Sequence, residues 1–216
     1  MKSFLIAILT SLFFTSCAKE HLEGNGNIVT ETRTLPSFSG VSTSGSKHIN
    51  ILYGDEYKVE LRGSSNLLSV YQTKIEGKTL ELGFENRVRI THDDIQVWVT
   101  LPRLNKVILS GSGKVKICGN FPRLENFEAF VSGSGDIELN DDVQADNVRI
   151  NLSGSAKADL DKLECDYADA NVSGSGDIHI GVQKHLNAHI SGSGKIYLWG
   201  NARVDSRISG SGKVIR

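Results

Sequence analysis

A four-residue motif, Ser-Gly-Ser-Gly, recurs through the second half of this chain and limits the folds that the chain can adopt. Five copies and one Ser-Gly-Ser-Ala variant, which begins at Ser153, follow one another at intervals of 18 to 22 residues. Their first serines are Ser110, Ser132, Ser153, Ser173, Ser191 and Ser209. A fainter copy stands at Ser44-Gly45-Ser46. Self-similarity of this kind is typical of architectures in which each repeat packs against its neighbours.

Alignment of the copies places aliphatic residues at the same positions of each repeat. One column stands directly before the first serine: Leu109, Val131, Leu152, Val172, Ile190 and Ile208. A second column stands five positions after that serine: Val115, Ile137, Ala158, Ile178, Ile196 and Val214. Two further apolar columns lie two positions before the first column and two positions after the second. The residues between these columns are polar. This two-residue period indicates strands with one buried face.

A repeat of about 20 residues cannot close into a coil if it is straight, so the chain must bend, and glycine permits the bend. Each repeat is therefore predicted to be one coil of short strands with a Gly-Ser corner, stacked in parallel on the next coil at about 4.8 Å. The fold prediction is an all-β, β-helix-like solenoid over residues 106–216. Residues 31–105 show the same alternation with a blurred repeat and are predicted to form an N-terminal β part.

Within the N-terminal part, four strands are predicted around residues 49–51, 57–61, 79–82 and 95–99. Turns are predicted at residues 53–56 and 75–78, where glycine and charged residues interrupt the alternation. Residues 66–71 fit either one helical turn or a loop.

Charged side chains alternate in sign along two columns of the repeat. One column reads Lys114, Asp136, Lys157, Asp177, and the other Lys106, Glu128, Arg149, Asp169. Opposite charges one coil apart are predicted to attract by roughly 0.2–1 kcal/mol per pair and so to favour the correct register. Over the whole chain, 24 Lys and Arg balance 25 Asp and Glu. Because there is no excess of basic residues to neutralise phosphates, nucleic acid is not expected as a partner.

The first 17 residues are typical of an export signal. Lys2 precedes an apolar run that ends at Phe14, and this run is too short for a stable membrane span. Thr15-Ser16-Cys17 resembles the lipobox of bacterial lipoproteins, which implies cleavage before Cys17 and a diacylglycerol on its sulfur. The alternative is a plain secretory signal. We therefore assign residues 1–16 to a signal peptide and 17–30 to the lipidated cysteine and a polar tether. The expected location is the outer membrane, on its periplasmic or its outer face.

Two further cysteines, Cys118 and Cys165, could form a disulfide in an exported protein. They fall in different columns two coils apart, at least about 9.5 Å by the stacking distance, which exceeds disulfide reach. Two free thiols are predicted.

The ordered motifs of the chain resemble those of the head GIN domain family of auto-transporter adhesins from Bacteroidota. The matching segments are residues 38–41, 53–57 with 59–60, 66–68 and 97–102, followed by the Ser-Gly-Ser-Gly coils. The likeness covers about residues 28–216. It implies a right-handed parallel β-helix on an exported or lipidated protein, and adhesion as its role. The family supplies no catalytic residues to carry over.

Two histidine-containing segments are candidates for a metal site, and neither is favoured. His92-Asp93-Asp94 consists of adjacent residues, which point to opposite faces of an extended strand. His179, His185 and His189 do not share a column. No metal and no cofactor are therefore expected.

A carbohydrate-active enzyme, either a lyase or a hydrolase on a β-helix, is the alternative function. It would need a groove of carboxylates. Here the carboxylates Asp136, Glu138, Asp159 and Asp177 interleave with Lys114, Lys157 and Lys195, so no catalytic residue is assigned.

A non-catalytic role in binding a glycan or an envelope protein is the favoured hypothesis. The column of first serines forms a hydroxyl ladder that could contact glycans, or whose hydroxyls could bond along the corner instead. Tyr197 and Trp199 are candidates for stacking on sugars, or for covering the end of the core. The C-terminal coil offers a strand edge, through which a second copy or a partner protein is expected to associate.

Overall fold

The chain folds into stacked coils of β-structure, and the computed structural model describes residues 20–84 and 88–216. The predicted signal peptide and Cys17 lie outside the described residues. The elements of the N-terminal part are β1 Glu20–Glu23, β2 Ile28–Thr34, β3 Gly40–Gly45, β4 His48–Tyr53, β5 Lys58–Ser64, α1 Ser65–Leu68, β6 Tyr71–Glu76, β7 Thr79–Phe84, β8 Val88–Thr91 and β9 Gln96–Leu101. The elements of the repeats are β10 Lys106–Gly111, β11 Lys114–Cys118, β12 Leu124–Gly133, β13 Asp136–Leu139, β14 Val143–Gly154, β15 Lys157–Gly174, β16 Asp177–Gly192, β17 Lys195–Trp199, β18 Arg203–Gly210 and β19 Lys213–Ile215.

Two flat faces meet at the Gly-Ser corner of each coil. The serine face, named for its outward column of first serines, consists of β3, β10, β12, β14, the later parts of β15 and β16, and β18. The charged face, named for its outward column that starts at Lys114, consists of β4, β11, β13, the first residues of β15 and β16, β17 and β19. Neighbouring coils pair in parallel on both faces, so the predicted β-solenoid is confirmed.

The register of the coils follows the columns read from the sequence. Leu109 pairs with Val131, and this pairing continues from coil to coil through Leu152, Val172, Ile190 and Ile208. The second column is paired in the same way from Val115 to Val214. Nearly all of these side chains are buried, and the buried polar residues found in the described part of the chain are Thr43 and Ser64. A continuous aliphatic core therefore runs along the solenoid.

The first glycine of each motif makes the corner. Gly111, Gly133, Gly154, Gly174, Gly192 and Gly210 all have φ between +107° and +128°, a region that side chains rarely adopt. A Cβ at any of them would lie 2.3–2.5 Å from a carbonyl oxygen of the preceding coil's glycine. That oxygen accepts a hydrogen bond from the next coil, as between Ser175 N and Gly154 O at 2.9 Å. The second glycine position has no positive φ, and there Ala156 replaces glycine.

The alternating charge columns form some of the predicted ion pairs. Lys106 contacts Glu128 at 2.7 Å, and Arg149 lies 3.9 Å from Asp169. On the charged face, Lys114 is paired in register with Asp136, but its ammonium contacts Glu138 at 2.5 Å. Lys114 thus reaches the diagonal carboxylate instead of its direct neighbour.

The N-terminal part joins the solenoid but does not share its all-parallel pairing. Strands β3 and β4 stack in parallel on β10 and β11. Beyond them, β5 pairs antiparallel with both β2 and β9, and β6 and β7 form a hairpin. The four predicted strands, both turns and a helical turn at Ser65–Leu68 are found.

The polar segment assigned to a tether is ordered as strands from residue 20 onward. Strand β1 pairs with β8, and β2 lies along β5 with most of its side chains exposed. Polar side chains suit such exposed strands, whose stability comes from backbone hydrogen bonds, and the role of residues 17–30 as a link between lipid and domain stays a prediction.

Cys118 and Cys165 are both free thiols, as predicted. Cys165 is buried and donates to Gly181 O at 3.4 Å. Burial raises the pKa of its thiol to about 12.

Candidate functional site

The two aromatic residues predicted to bind a ligand lie on the outward side of β17, on the charged face. Tyr197 stacks on His179 of the preceding coil, with 4.4 Å between ring centroids. Trp199 is 39% exposed and lies over Gly181, where a Cβ would meet the indole ring at 2.1 Å. His179, Tyr197 and Trp199 therefore form one aromatic patch that is open to solvent. Whether the patch binds a ligand stays a prediction.

Two carboxylates adjoin this patch. The ligating atoms of Asp159, Asp161 and His179 lie within 4.8 Å of one another. Lys157 already contacts Asp159 at 2.8 Å and holds the pKa of that carboxyl below its usual value, and His179 lies 3.4 Å from Asp161. The cluster thus has internal partners for its charges.

The segment His92-Asp93-Asp94 does not converge on one point. The His92 ring contacts Glu23 at 2.9 Å, and Asp93 contacts Lys47. Asp94 accepts hydrogen bonds from the backbone and the hydroxyl of Ser64, at 2.9 and 2.6 Å. The three side chains therefore serve three separate structural contacts.

Two carboxylates of the charged face, Glu138 and Asp159, are paired with lysines. Lys114 contacts Glu138 and holds its pKa below the usual value, as Lys157 does for Asp159. A general acid needs the opposite shift, towards a raised pKa. This arrangement therefore suits structural ion pairs.

The serine face carries a groove that crosses the strands and has a volume of about 500 Å³. Its edge is the column of first serines Ser110, Ser132, Ser153, Ser173 and Ser191, all of which are exposed. None of these hydroxyls forms a hydrogen bond with another residue of the described ranges 20–84 and 88–216, so the hydroxyls do not bond along the corner. They are available to a ligand.

The floor of the groove is the column that lies two positions before the serines. The sequence alone did not mark this column as a candidate site. It reads Ile108, Phe130, Asn151, Asn171 and His189. Asn171 Nδ2 donates to Asn151 Oδ1 at 2.8 Å, which leaves the other amide atoms unused by this contact. The alignment of the repeats that reveals the serine column also contains this floor column.

The predicted association site, the C-terminal coil, presents Ile208 at 43% exposure. Strand β18 pairs with β16 on one side. Association of a second copy here stays a prediction. In the described part of the chain, no helix is long and apolar enough to span a membrane.

Comparison with solved structures finds the same fold in proteins from Bacteroidota. A "putative adhesin" from Bacteroides fragilis is 17% identical, with a TM-score of 0.70, and the match covers 89% of this chain and 98% of that one. A "putative adhesin" from Parabacteroides merdae is 19% identical, with a TM-score of 0.60 and coverage of 91% and 100%. A "putative lipid binding protein" from Parabacteroides distasonis is 19% identical, with a TM-score of 0.62 and the same coverage.

Comparison with curated proteins found no match. The family model described as "Putative auto-transporter adhesin, head GIN domain" matches residues 37–202, a span that includes the first coil, the aromatic patch and the whole groove. The chain therefore belongs to the head GIN domain family.

Proposed function

We propose that this chain is a non-catalytic, adhesin-like lipoprotein of the cell envelope that binds a glycan or an envelope protein on the side of its solenoid. The observation that carries the proposal is the contrast between the two faces. On the charged face, Glu138 and Asp159 are each paired with a lysine, whereas the serine face presents a ladder of hydroxyls with no partner among the described residues. Such a surface is suited to binding, and it lacks the uncompensated carboxylates that a lyase or hydrolase needs.

The aromatic patch supports the same function. Trp199 and Tyr197 occupy alternate positions of one strand and so face the same side, about 6.6 Å apart. Gly181 beneath the indole has no side chain, so the ring can lie close against the coil. Exposed aromatic rings on a rigid strand can stack on a sugar with little loss of side-chain entropy.

The family and the structural neighbours support a place at the cell surface or in the envelope. Lipid attachment at Cys17 would hold the protein there, since buried acyl chains contribute about 0.8 kcal/mol per CH₂. Replacement Cys17→Ser should move the full-length protein from the detergent phase to the aqueous phase in Triton X-114 partition. An unchanged partition would contradict the anchor.

The binding function is tested with residues 18–216 on a glycan array and on intact bacterial and host cells. The double variant Tyr197→Ala, Trp199→Ala is expected to lose the signal of ligands that use the aromatic patch. The matched control is Tyr167→Ala, which removes a tyrosine that is 48% exposed and lies beside Lys184. Absence of binding to every glycan and cell, or release of new reducing ends from a bound glycan, would overturn the proposal.

A further inference from the structure

The groove on the serine face differs from the rest of the surface in its charge. Apart from the imidazole of His189, its lining has no ionisable side chain, in a chain of which 23% of residues are charged. The nearest charged residues of this face stand in the next column out, where Arg149 and Asp169 pair with each other, and one coil beyond His189, where Arg207 continues the floor column. Inside the lining itself, the His189 imidazole is the one group that could act as a counter-charge for an ionic ligand.

The polar groups of the groove repeat once per coil. The serines of β10, β12, β14, β15 and β16 are in register, so their hydroxyls form a row about 19 Å long at about 4.8 Å per coil. Each hydroxyl can both donate and accept, and so can the Asn151 and Asn171 amides. A ligand that satisfies them must itself carry donors and acceptors at a short, regular spacing.

One end of the groove is apolar. Ile108 and Phe130 lie side by side in the floor column. Lys106 lies above the Phe130 ring, but its ammonium is held by Glu128 at 2.7 Å. This end offers a platform for an apolar surface, such as the C–H face of a sugar ring.

We propose that the groove binds an uncharged, linear oligosaccharide whose sugar units run along the solenoid axis. Sugar hydroxyls supply both donors and acceptors, one unit is comparable in length to one coil, and the volume of about 500 Å³ suits several units. The rigid strands hold the hydroxyls in place before binding, which lowers the entropy lost on association. The inference rests on the proposed binding function and names the ligand class of a second surface, separate from the aromatic patch.

The test is isothermal titration of residues 18–216 with neutral, linear oligosaccharides of glucose, mannose and xylose, each from two to six units long. At least one series is expected to bind, with an affinity that rises from the disaccharide to the hexasaccharide as more coils are contacted. The acidic probe is hexagalacturonate, which is expected to bind at least tenfold more weakly because the lining has no ionisable side chain other than the His189 imidazole.

The blocking variant is Ser153→Tyr, whose ring would fill the middle of the groove. Its matched control is Ser155→Tyr, an equally exposed serine of the same corner that does not line the groove. We expect at least a tenfold loss of affinity in the first variant and no change in the second. Asn171→Ala, which removes an amide without adding bulk, should also weaken binding, and thermal melting checks that all three fold.

Failure of this inference can be told apart from failure of the binding function. If glycans bind on the array and are lost only in the Tyr197→Ala, Trp199→Ala variant, the function stands and the groove proposal is overturned. Binding of no neutral hexasaccharide, equal effects of Ser153→Tyr and Ser155→Tyr, or preference for hexagalacturonate would each overturn it as well.

Discussion

Replacement of one corner glycine, Gly174→Ala, tests how closely the coils are stacked. At φ +122°, an alanine costs about 1–3 kcal/mol in backbone strain. Its Cβ would also lie 2.3 Å from Gly154 O, and relief of such overpacking costs a further 1–3 kcal/mol or so. The same carbonyl accepts the Ser175 N hydrogen bond, so its displacement weakens the pairing of two coils. The expected loss of stability is roughly 2–6 kcal/mol.

The matched control is Gly45→Ala, in the first coil. Gly45 also has a positive φ, +93°, but a Cβ there would meet nothing within 4 Å. This variant should lose only the strain contribution of about 1–3 kcal/mol. Urea unfolding of both variants, followed by far-UV circular dichroism, gives the two free energies. Equal losses would refute the reasoning, because the close approach of the coils would then contribute nothing.

Three further predictions concern single side chains. Iodoacetamide should label Cys118 in the folded protein and Cys165 only after urea unfolding, because burial raises the pKa of the Cys165 thiol to about 12. Labelling of both thiols at equal rates in the folded protein would contradict the buried position of Cys165. Tyr71→Phe should leave the free energy of unfolding unchanged or raise it by about 1 kcal/mol, since the buried Tyr71 hydroxyl has no hydrogen-bond partner among the residues described. A loss of stability larger than about 1 kcal/mol, measured by thermal melting, would show that the hydroxyl has a partner. Lys114 holds the pKa of Glu138 below its unfolded value, so the stabilisation is present at neutral pH and is lost as pH falls through the folded pKa. Glu138→Gln should therefore lower the melting temperature at pH 7, and by progressively less as pH falls; an equal loss at every pH would exclude the ion pair as its cause.

The coil register could be predicted from the sequence because two independent signals agree. The motif fixes where each coil turns, and the two-residue period fixes which side chains point inward. A slip of one residue would move Leu152 and Ala158 from the core to the surface, so this register is strongly specified. The serine column follows from the same alignment.

The N-terminal pairings could not be predicted in this way. Strand β2 is mostly exposed and is polar after Ile28 and Val29, so no apolar alternation marks it as a strand. Its antiparallel pairing with β5 depends on backbone hydrogen bonds, which any sequence can supply. The polar composition of residues 20–30 therefore did not indicate that β1 and the start of β2 are strands.

The candidate site was predicted in part. The outward direction of Tyr197 and Trp199 follows from strand alternation. The stacking of Tyr197 on His179 follows from the register, which pairs the two residues. Asn151 and Asn171 were missed because each, alone, reads as an ordinary polar residue of an exposed face. Side-chain choices such as Lys114 reaching Glu138 depend on rotamers, which the column pattern does not encode.

The central claim is that the repeats stack as consecutive parallel coils with their serines in register, and disulfide trapping tests it most directly. In residues 18–216 with Cys118→Ser and Cys165→Ala, the pair Ser153→Cys, Ser173→Cys joins direct partners of neighbouring coils, about 4.8 Å apart. It should oxidise readily to an intramolecular disulfide, detected by mass spectrometry. The pair Ser153→Cys, Ser191→Cys skips one coil, about 9.6 Å, and should stay reduced. A disulfide in the second pair but not in the first would contradict the stacking order on which the serine face and its groove depend.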